Sequence, residues 1–126
     1  MRIETRSIAV AAPPATVFAY IADARNLPDW APAFATAVRP EGDRWIVTGG
    51  GAEFPIVVRA SAEHGTVDFL AAEEATRGAF SRVLPHGDGA AYQFTLLFPE
   101  GTEEEAVERQ MAIVEEELEA VRADCE

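Results

Sequence analysis

Hydrophobic and polar positions alternate loosely at the start of the chain and then stop at a pair of prolines. Ile3, Ile8 and Val10 predict a strand over residues 2–11. The prolines at residues 13–14 end it, because proline cannot donate a hydrogen bond to a sheet. Proline also suits the first turn of a helix, so we expect a helix to begin here.

The apolar positions next follow a helical spacing. Val17, Phe18 and Ile21 lie on one side of a short helix that we expect to end near Asp23. A second helical segment is predicted over residues 25–30, with an interruption at a proline. The chain therefore begins with one strand and two short helices.

From residue 34 to residue 99, apolar stretches with strand spacing are separated by short turns. This pattern predicts six strands in an antiparallel meander. The expected turns lie at residues 40–43, 49–51, 63–65, 73–78 and 85–89.

The turn positions predict which residues face each other across the strands. All the expected pairs put apolar residues on one common face, as a half-buried sheet requires. These pairs are Val38 with Trp45, Trp45 with Ile56, Val47 with Phe54, Val58 with Phe69, and Ala60 with Val67. In the last strand, Tyr92, Phe94, Leu96 and Phe98 share a face.

The final segment has an apolar stripe with helical spacing. The stripe predicts an amphipathic helix of about 20 residues, or about 30 Å. Thr102 and Glu105 have the spacing of a capping box at its start. The stripe consists of Val107, Met111, Val114, Leu118 and Val121, and the opposite face carries Glu108, Glu115, Glu116 and Glu119.

Length and composition are those of one globular domain over residues 1–126, with 48% apolar and 25% charged residues. No apolar run approaches the roughly 20 residues that span a bilayer, and the first residues lack the apolar core of a signal peptide. We therefore expect a cytoplasmic protein without a membrane span.

The net charge of −12 is concentrated in residues 102–126, which carry −8 of it. Such an acidic chain repels nucleic-acid phosphates and anionic membranes, so neither is an expected partner. The single cysteine, Cys125, has no disulfide partner, and His64 and His86 lie in separate turns without carboxylates at ligand spacing. We expect no metal and no cofactor.

This order of elements is typical of the helix-grip fold. The chain resembles the START-like, polyketide cyclase/dehydrase (SRPBCC) superfamily of small bacterial proteins along essentially its whole length. The resemblance implies an α+β domain in which a seven-stranded curved antiparallel sheet wraps around the long C-terminal helix and leaves a cavity between them. It rests on APPATVF at 12–18, DARNLPDW at 23–30, TVDF at 66–69, RVLP at 82–85, and residues 110–111 and 117–118.

The fold serves lipid carriers, receptors and cyclases alike, so it does not specify an activity. The chain is shorter than many members, which argues against a large, lipid-sized cavity. The expected ligand contacts are equally interpretable as packing residues, because pocket walls and cores have the same composition. They are Trp30, Phe34, Trp45, Phe54, Val58, Phe69, Tyr92, Phe94, Met111, Val114 and Leu118.

Arg82 is the sharpest polar candidate, and its direction depends on the register of its strand. If it points inward beside Phe69 and Phe94, it would bind a carboxylate, phenolate or enolate of a ligand. In the other register it is solvated and lies opposite Gln93. Tyr92 would either donate a hydrogen bond to a ligand carbonyl or extend its hydroxyl only to the surface.

Three functions are compatible with the sequence. The first is binding of a small apolar or aromatic molecule in the cavity. The second is an enzyme resembling the polyketide cyclases and aromatases, in which Arg82 and Tyr92 stabilise an enolate. The third is a protein-interaction module that uses its acidic C-terminal helix. A homodimer is one assembly that the sequence leaves open.

Overall fold

The computed structural model describes residues 1–126. It contains seven strands and three α-helices, with one 3₁₀ turn at Ala24–Asn26 between the first two helices. In chain order these are β1 Arg2–Val10, α1 Pro14–Ala22, α2 Leu27–Trp30, β2 Ala37–Glu41, β3 Arg44–Gly49, β4 Ala52–Ser61, β5 Thr66–Ala71, β6 Glu74–His86, β7 Gly89–Phe98 and α3 Glu104–Cys125.

All seven strands form one antiparallel sheet in the order β1-β7-β6-β5-β4-β3-β2. In the meander from β2 to β7, each strand pairs with the next one in sequence. β1 pairs with β7, so β1 and β2 are the two edge strands. The curved sheet, the two short helices after β1 and the long last helix confirm the predicted helix-grip fold. No helix of the protein is both long enough and apolar enough to cross a membrane.

The strand registers follow the predicted turns with one exception. Val47 lies opposite Phe54, and Val58 lies opposite Phe69, as predicted. The predicted pairing of Val38 with Trp45 is wrong. The two-residue turn is centred one position later than expected, between Glu41 and Arg44, so Val38 lies opposite Val47 and Pro40 lies opposite Trp45. The shift of two residues keeps every side chain on its predicted face.

The β5–β6 connection also differs from the prediction. The expected turn over residues 73–78 is mostly strand, because β6 begins at Glu74. Ala71 lies opposite Glu74, whereas the preceding Leu70 lies opposite Gly78, so β6 carries extra residues over 75–77. An irregularity of this kind bends the strand locally and breaks the regular pairing.

The start of α3 corrects a further prediction. The helix begins at Glu104, its N-cap residue is Glu103, and no side chain caps it. The Thr102 hydroxyl instead donates to the Pro99 carbonyl oxygen at 2.7 Å. The capping box is therefore absent, because Thr102 closes the turn before the helix.

The core lies where α3 crosses the concave face of the sheet. The predicted apolar stripe of α3 is buried at every position, and residues of α1 and of β5 to β7 pack in the same cluster. Burial of this face stabilises the long helix, because most helical stability in proteins comes from packing of an apolar face. The stripe fills one part of the space under the sheet, and a cavity occupies another.

Candidate ligand-binding cavity

A cavity of about 880 Å³ lies between the sheet, the α2–β2 segment and α3. It is open to solvent on one side, and 14 of its 23 lining residues are hydrophobic. Pockets for small organic ligands typically span about 300–1,000 Å³ and are mainly apolar. The cavity therefore has the size and character of a small-ligand pocket.

Aromatic rings form the inner wall of the cavity. Trp30, at the end of α2, is 2% exposed and lies with its ring centroid 5.9 Å from that of Phe69 and 6.4 Å from that of Phe94. Near the opening, the rings of Phe34 and Phe54 meet edge to face at 5.5 Å. Phe34 is partly exposed there, which places an apolar surface beside the entrance.

The structure brings five of the eleven expected contact residues to the cavity wall: Trp30, Phe34, Phe54, Phe69 and Phe94. That these five bind a ligand remains a prediction. The other six do not line the cavity. Trp45 and Val58 are half-buried elsewhere on the sheet, and the buried core contains Tyr92, Met111, Val114 and Leu118. Their apolar character is accounted for by packing in or against the hydrophobic core.

Arg82 points away from the cavity. It is exposed on the outer face of β6, lies opposite Gln93, and its Nε donates to the His64 carbonyl oxygen at 3.3 Å. Ser81 and Val83 take the inward positions on either side of it. The inward alternative for Arg82 is therefore excluded, and so is its role beside a ligand in this cavity.

Tyr92 is fully buried, and its hydroxyl has no hydrogen-bond partner. Ser81 lies near enough to favour the phenolate slightly, but its hydroxyl donates to the Val67 carbonyl oxygen at 2.6 Å. Burial dominates and raises the pKa of Tyr92. The hydroxyl is therefore a neutral group enclosed in the core, and it does not reach the cavity wall.

Two other polar side chains, Asp68 and His64, also lie outside the cavity. The Asp68 carboxylate accepts from the Arg59 guanidinium at 2.9 Å across neighbouring strands on the outer face. His64 contacts the Ser61 hydroxyl at 2.9 Å in an exposed turn. Both arrangements are local surface contacts.

Glu117 is a buried acidic residue of the cavity wall, where the indole N–H of Trp30 is also buried without a hydrogen-bond partner. Glu117 lies on α3, is 8% exposed, and forms no hydrogen bond or ion pair. Burial, together with the negative charge of Glu116, raises the pKa of the Glu117 carboxyl from its ordinary 4.5 to about 7. At neutral pH this carboxyl is thus divided between its neutral and charged forms.

The remaining polar lining residues lie towards the opening. Glu73, Glu74, Thr76 and Arg77 come from the β5–β6 hairpin, and Gln110 lies on α3. The Arg77 guanidinium is paired with Glu73 at 2.8 Å. The side chains that line the cavity therefore include three carboxyl groups and one cation, and that cation is already paired.

Sequence reasoning missed Gln110 and Glu117 as cavity residues, although the spacing contains the signal. Glu117 follows Gln110 by seven residues, which places both on one side of the helix. Glu117 also precedes Val121 by four residues, so it borders the buried apolar stripe. A glutamate beside such a stripe is distinguishable from the exposed glutamates around it. The hairpin residues had no comparable signal.

Comparison of the sequence with known protein families identifies the family of this chain. The family described as polyketide cyclase/dehydrase and lipid transport matches residues 1–126. No curated protein matches the sequence.

Among solved structures, the chain is similar to XoxI from Bacillus cereus, with 17% identity over 99% of this chain and 96% of that one, at a TM-score of 0.76. A protein from Bacillus halodurans is 13% identical over 100% and 98% of the two chains, at a TM-score of 0.77. A START superfamily protein from Mycobacterium smegmatis is 16% identical over 98% and 96%, at a TM-score of 0.69. These solved structures share the fold of this chain. Because the family match covers the whole sequence, the chain belongs to the polyketide cyclase/dehydrase and lipid transport family.

Proposed function

We propose that the protein binds a small apolar or aromatic molecule in the cavity between the sheet, the α2–β2 segment and α3. The observation that carries this proposal is the open, mainly apolar cavity of about 880 Å³. An apolar cavity of this size with a few polar groups in its lining is typical of small-ligand sites. Proteins of this superfamily typically bind hydrophobic ligands, which agrees with the proposal.

The energetic basis is the transfer of ligand surface from water to the aromatic wall. Burial of roughly 200 Å² of apolar ligand surface would contribute about 5 kcal/mol at about 25 cal/mol per Å², before the costs of association. Trp30, Phe69 and Phe94 are held by one another, so the inner wall is formed before ligand arrives. A preformed wall lowers the ordering cost of binding.

The cyclase-like alternative is not favoured by the positions of its proposed residues. Arg82 lies on the outer face, and the hydroxyl of Tyr92 is enclosed in the core. Neither group is placed to stabilise an enolate in the cavity. The acidic outer face of α3 is exposed, and its use by a partner protein stays a prediction.

The test is a fluorescence titration with the neutral apolar probe N-phenyl-1-naphthylamine. Ala79 is half-buried on β6, lies opposite both Phe69 and Leu96, and lines the cavity. The variant Ala79→Phe should therefore occupy probe space and weaken binding by at least about tenfold. Ala112→Phe is the matched control, because Ala112 is exposed on α3 and does not line the cavity.

We expect saturable probe binding by the wild-type protein and by Ala112→Phe, with loss in Ala79→Phe. Circular dichroism of both variants checks that the fold is retained. Equal probe affinity in all three proteins would place the probe outside the cavity, and absence of saturable binding to the wild type would contradict the proposed function.

A further inference from the structure

Glu117 places an unpaired carboxyl group in a mainly apolar cavity wall. The residue is 8% exposed, lines the cavity, and has no hydrogen-bond or ion-pair partner within the protein. A buried carboxylate without a partner is unfavourable, and proteins normally pair such a group. The cavity opening leaves room for a ligand group to supply that partner.

The charges around the cavity indicate which charge the partner group of the ligand would carry. Glu73 and Glu74 add two more carboxyl groups to the lining, and the Arg77 guanidinium is held by Glu73. The positively charged chain terminus at Met1 is likewise paired, with Glu100. An anionic ligand would therefore meet repulsion without a free cation, whereas a cationic ligand would meet attraction. The net charge of −12 also repels anionic ligands and attracts cationic ones at longer range.

The aromatic residues of the wall also favour a cationic ligand. Phe69, Phe94 and Trp30 line the same cavity as Glu117. The faces of aromatic rings attract ammonium groups, and Trp does so most strongly. A carboxylate beside aromatic rings thus suits an ammonium head group, with the rest of the cavity available to an apolar tail.

We propose that the ligand of this cavity is an apolar molecule that carries a protonated amine, and that the ammonium group pairs with the Glu117 carboxylate. This inference rests on the proposed function, because it names the ligand class of the same cavity. It excludes fatty carboxylates as preferred ligands. It also makes Glu117 a specificity-determining residue for the head group of the ligand.

The test compares three probes with the same chain: decylamine, decanol and decanoate. Each displaces N-phenyl-1-naphthylamine from the wild type, from Glu117→Gln and from Glu116→Gln at pH 8. Glu116 is the matched control, since it is the exposed neighbour on α3 and does not line the cavity. For the wild type and for Glu116→Gln we expect decylamine to displace the probe at roughly tenfold lower concentration than decanol, with decanoate the weakest.

Glu117→Gln should lose the preference for decylamine over decanol, so that the two compounds displace the probe at similar concentrations. A second measurement uses the wild type alone. Between pH 8 and pH 5.5 decylamine stays protonated while Glu117 gains a proton, so the preference for the amine should fall. Glu116 on the same helix raises the pKa of Glu117, and Glu117 in turn raises that of Tyr92 on β7. The other charged side chains of the cavity lining are Glu73, Glu74 and Arg77.

Equal displacement by decylamine and decanol in the wild type would overturn the inference and leave the apolar cavity intact. An amine preference that persists in Glu117→Gln would also overturn it. Failure of the neutral probe itself to bind the wild type is a separate result, since it would overturn the proposed function and this inference with it.

Discussion

Replacement of Glu117 by glutamine keeps the shape of the side chain and removes its charge. The wild-type carboxyl has a folded-state pKa of about 7, above its ordinary value of 4.5, because burial penalises the charged form. The folded state therefore binds this proton more tightly than the unfolded state does. The resulting stabilisation is fully present below pH 4.5 and is lost as the pH rises through 7.

The size of the effect follows from the two pKa values. One pKa unit corresponds to about 1.36 kcal/mol, and about 2 kcal/mol of the change falls between pH 5.5 and pH 8. Because the cavity is open, water screens part of the burial effect. We therefore expect a change in the free energy of unfolding of about 1–2 kcal/mol. The free energy of unfolding of Glu117→Gln should therefore rise relative to that of the wild type by this amount over the interval.

Urea unfolding at pH 5.5 and pH 8, followed by circular dichroism, measures the difference. The many exposed carboxylates contribute equally to both proteins and cancel in the comparison. Glu115→Gln provides the control, since it removes an exposed charge two residues away that does not act on the pKa of Glu117, and it should follow the wild type closely. If the wild type and Glu117→Gln lose stability in parallel between the two pH values, the reasoning about burial is refuted.

Two further variants test individual features of the core and the sheet. Tyr92→Phe removes a buried hydroxyl that has no hydrogen-bond partner, so the protein should unfold at the same urea concentration or a higher one, with a gain of about 0–1 kcal/mol. A loss above about 1 kcal/mol would show that the hydroxyl is bonded to Ser81 after all. Gly78→Ala places a Cβ 2.0 Å from the Phe69 carbonyl oxygen, and we expect it to destabilise the fold by about 2–3 kcal/mol in the same assay. Stability within about 0.5 kcal/mol of the wild type would contradict the close strand packing beside the cavity.

Most of the fold could be predicted because the alternation of apolar residues and the turn residues agree with each other. The pair Val47 and Phe54 illustrates this, since the glycine-rich turn and the inward face require the same register. The prediction of the capping box failed because one side chain can form either of two local hydrogen bonds. Thr102 is able to cap a helix or to close a turn on the Pro99 carbonyl oxygen, and only the geometry of the folded chain selects the second.

The candidate site was less predictable, for a different reason. Trp30 and Met111 are both apolar residues that face α3 or the sheet, yet only Trp30 borders the cavity. Whether an inward residue lines empty space depends on how closely two elements approach, and that distance is not encoded in periodicity. Glu117 could have been found, because it is a charged residue at a position that the helical spacing places beside the buried stripe.

The most direct test of ligand binding in this cavity is nuclear magnetic resonance mapping of the bound neutral probe, N-phenyl-1-naphthylamine, on isotope-labelled protein. We predict that the largest chemical-shift changes occur at Trp30, Phe34, Phe54 and Glu117, which line the cavity on separate elements. Residues around Arg82 on the outer face should change little. Changes centred on Arg82 and His64, or none anywhere at saturating probe, would contradict the assignment of the cavity as the binding site.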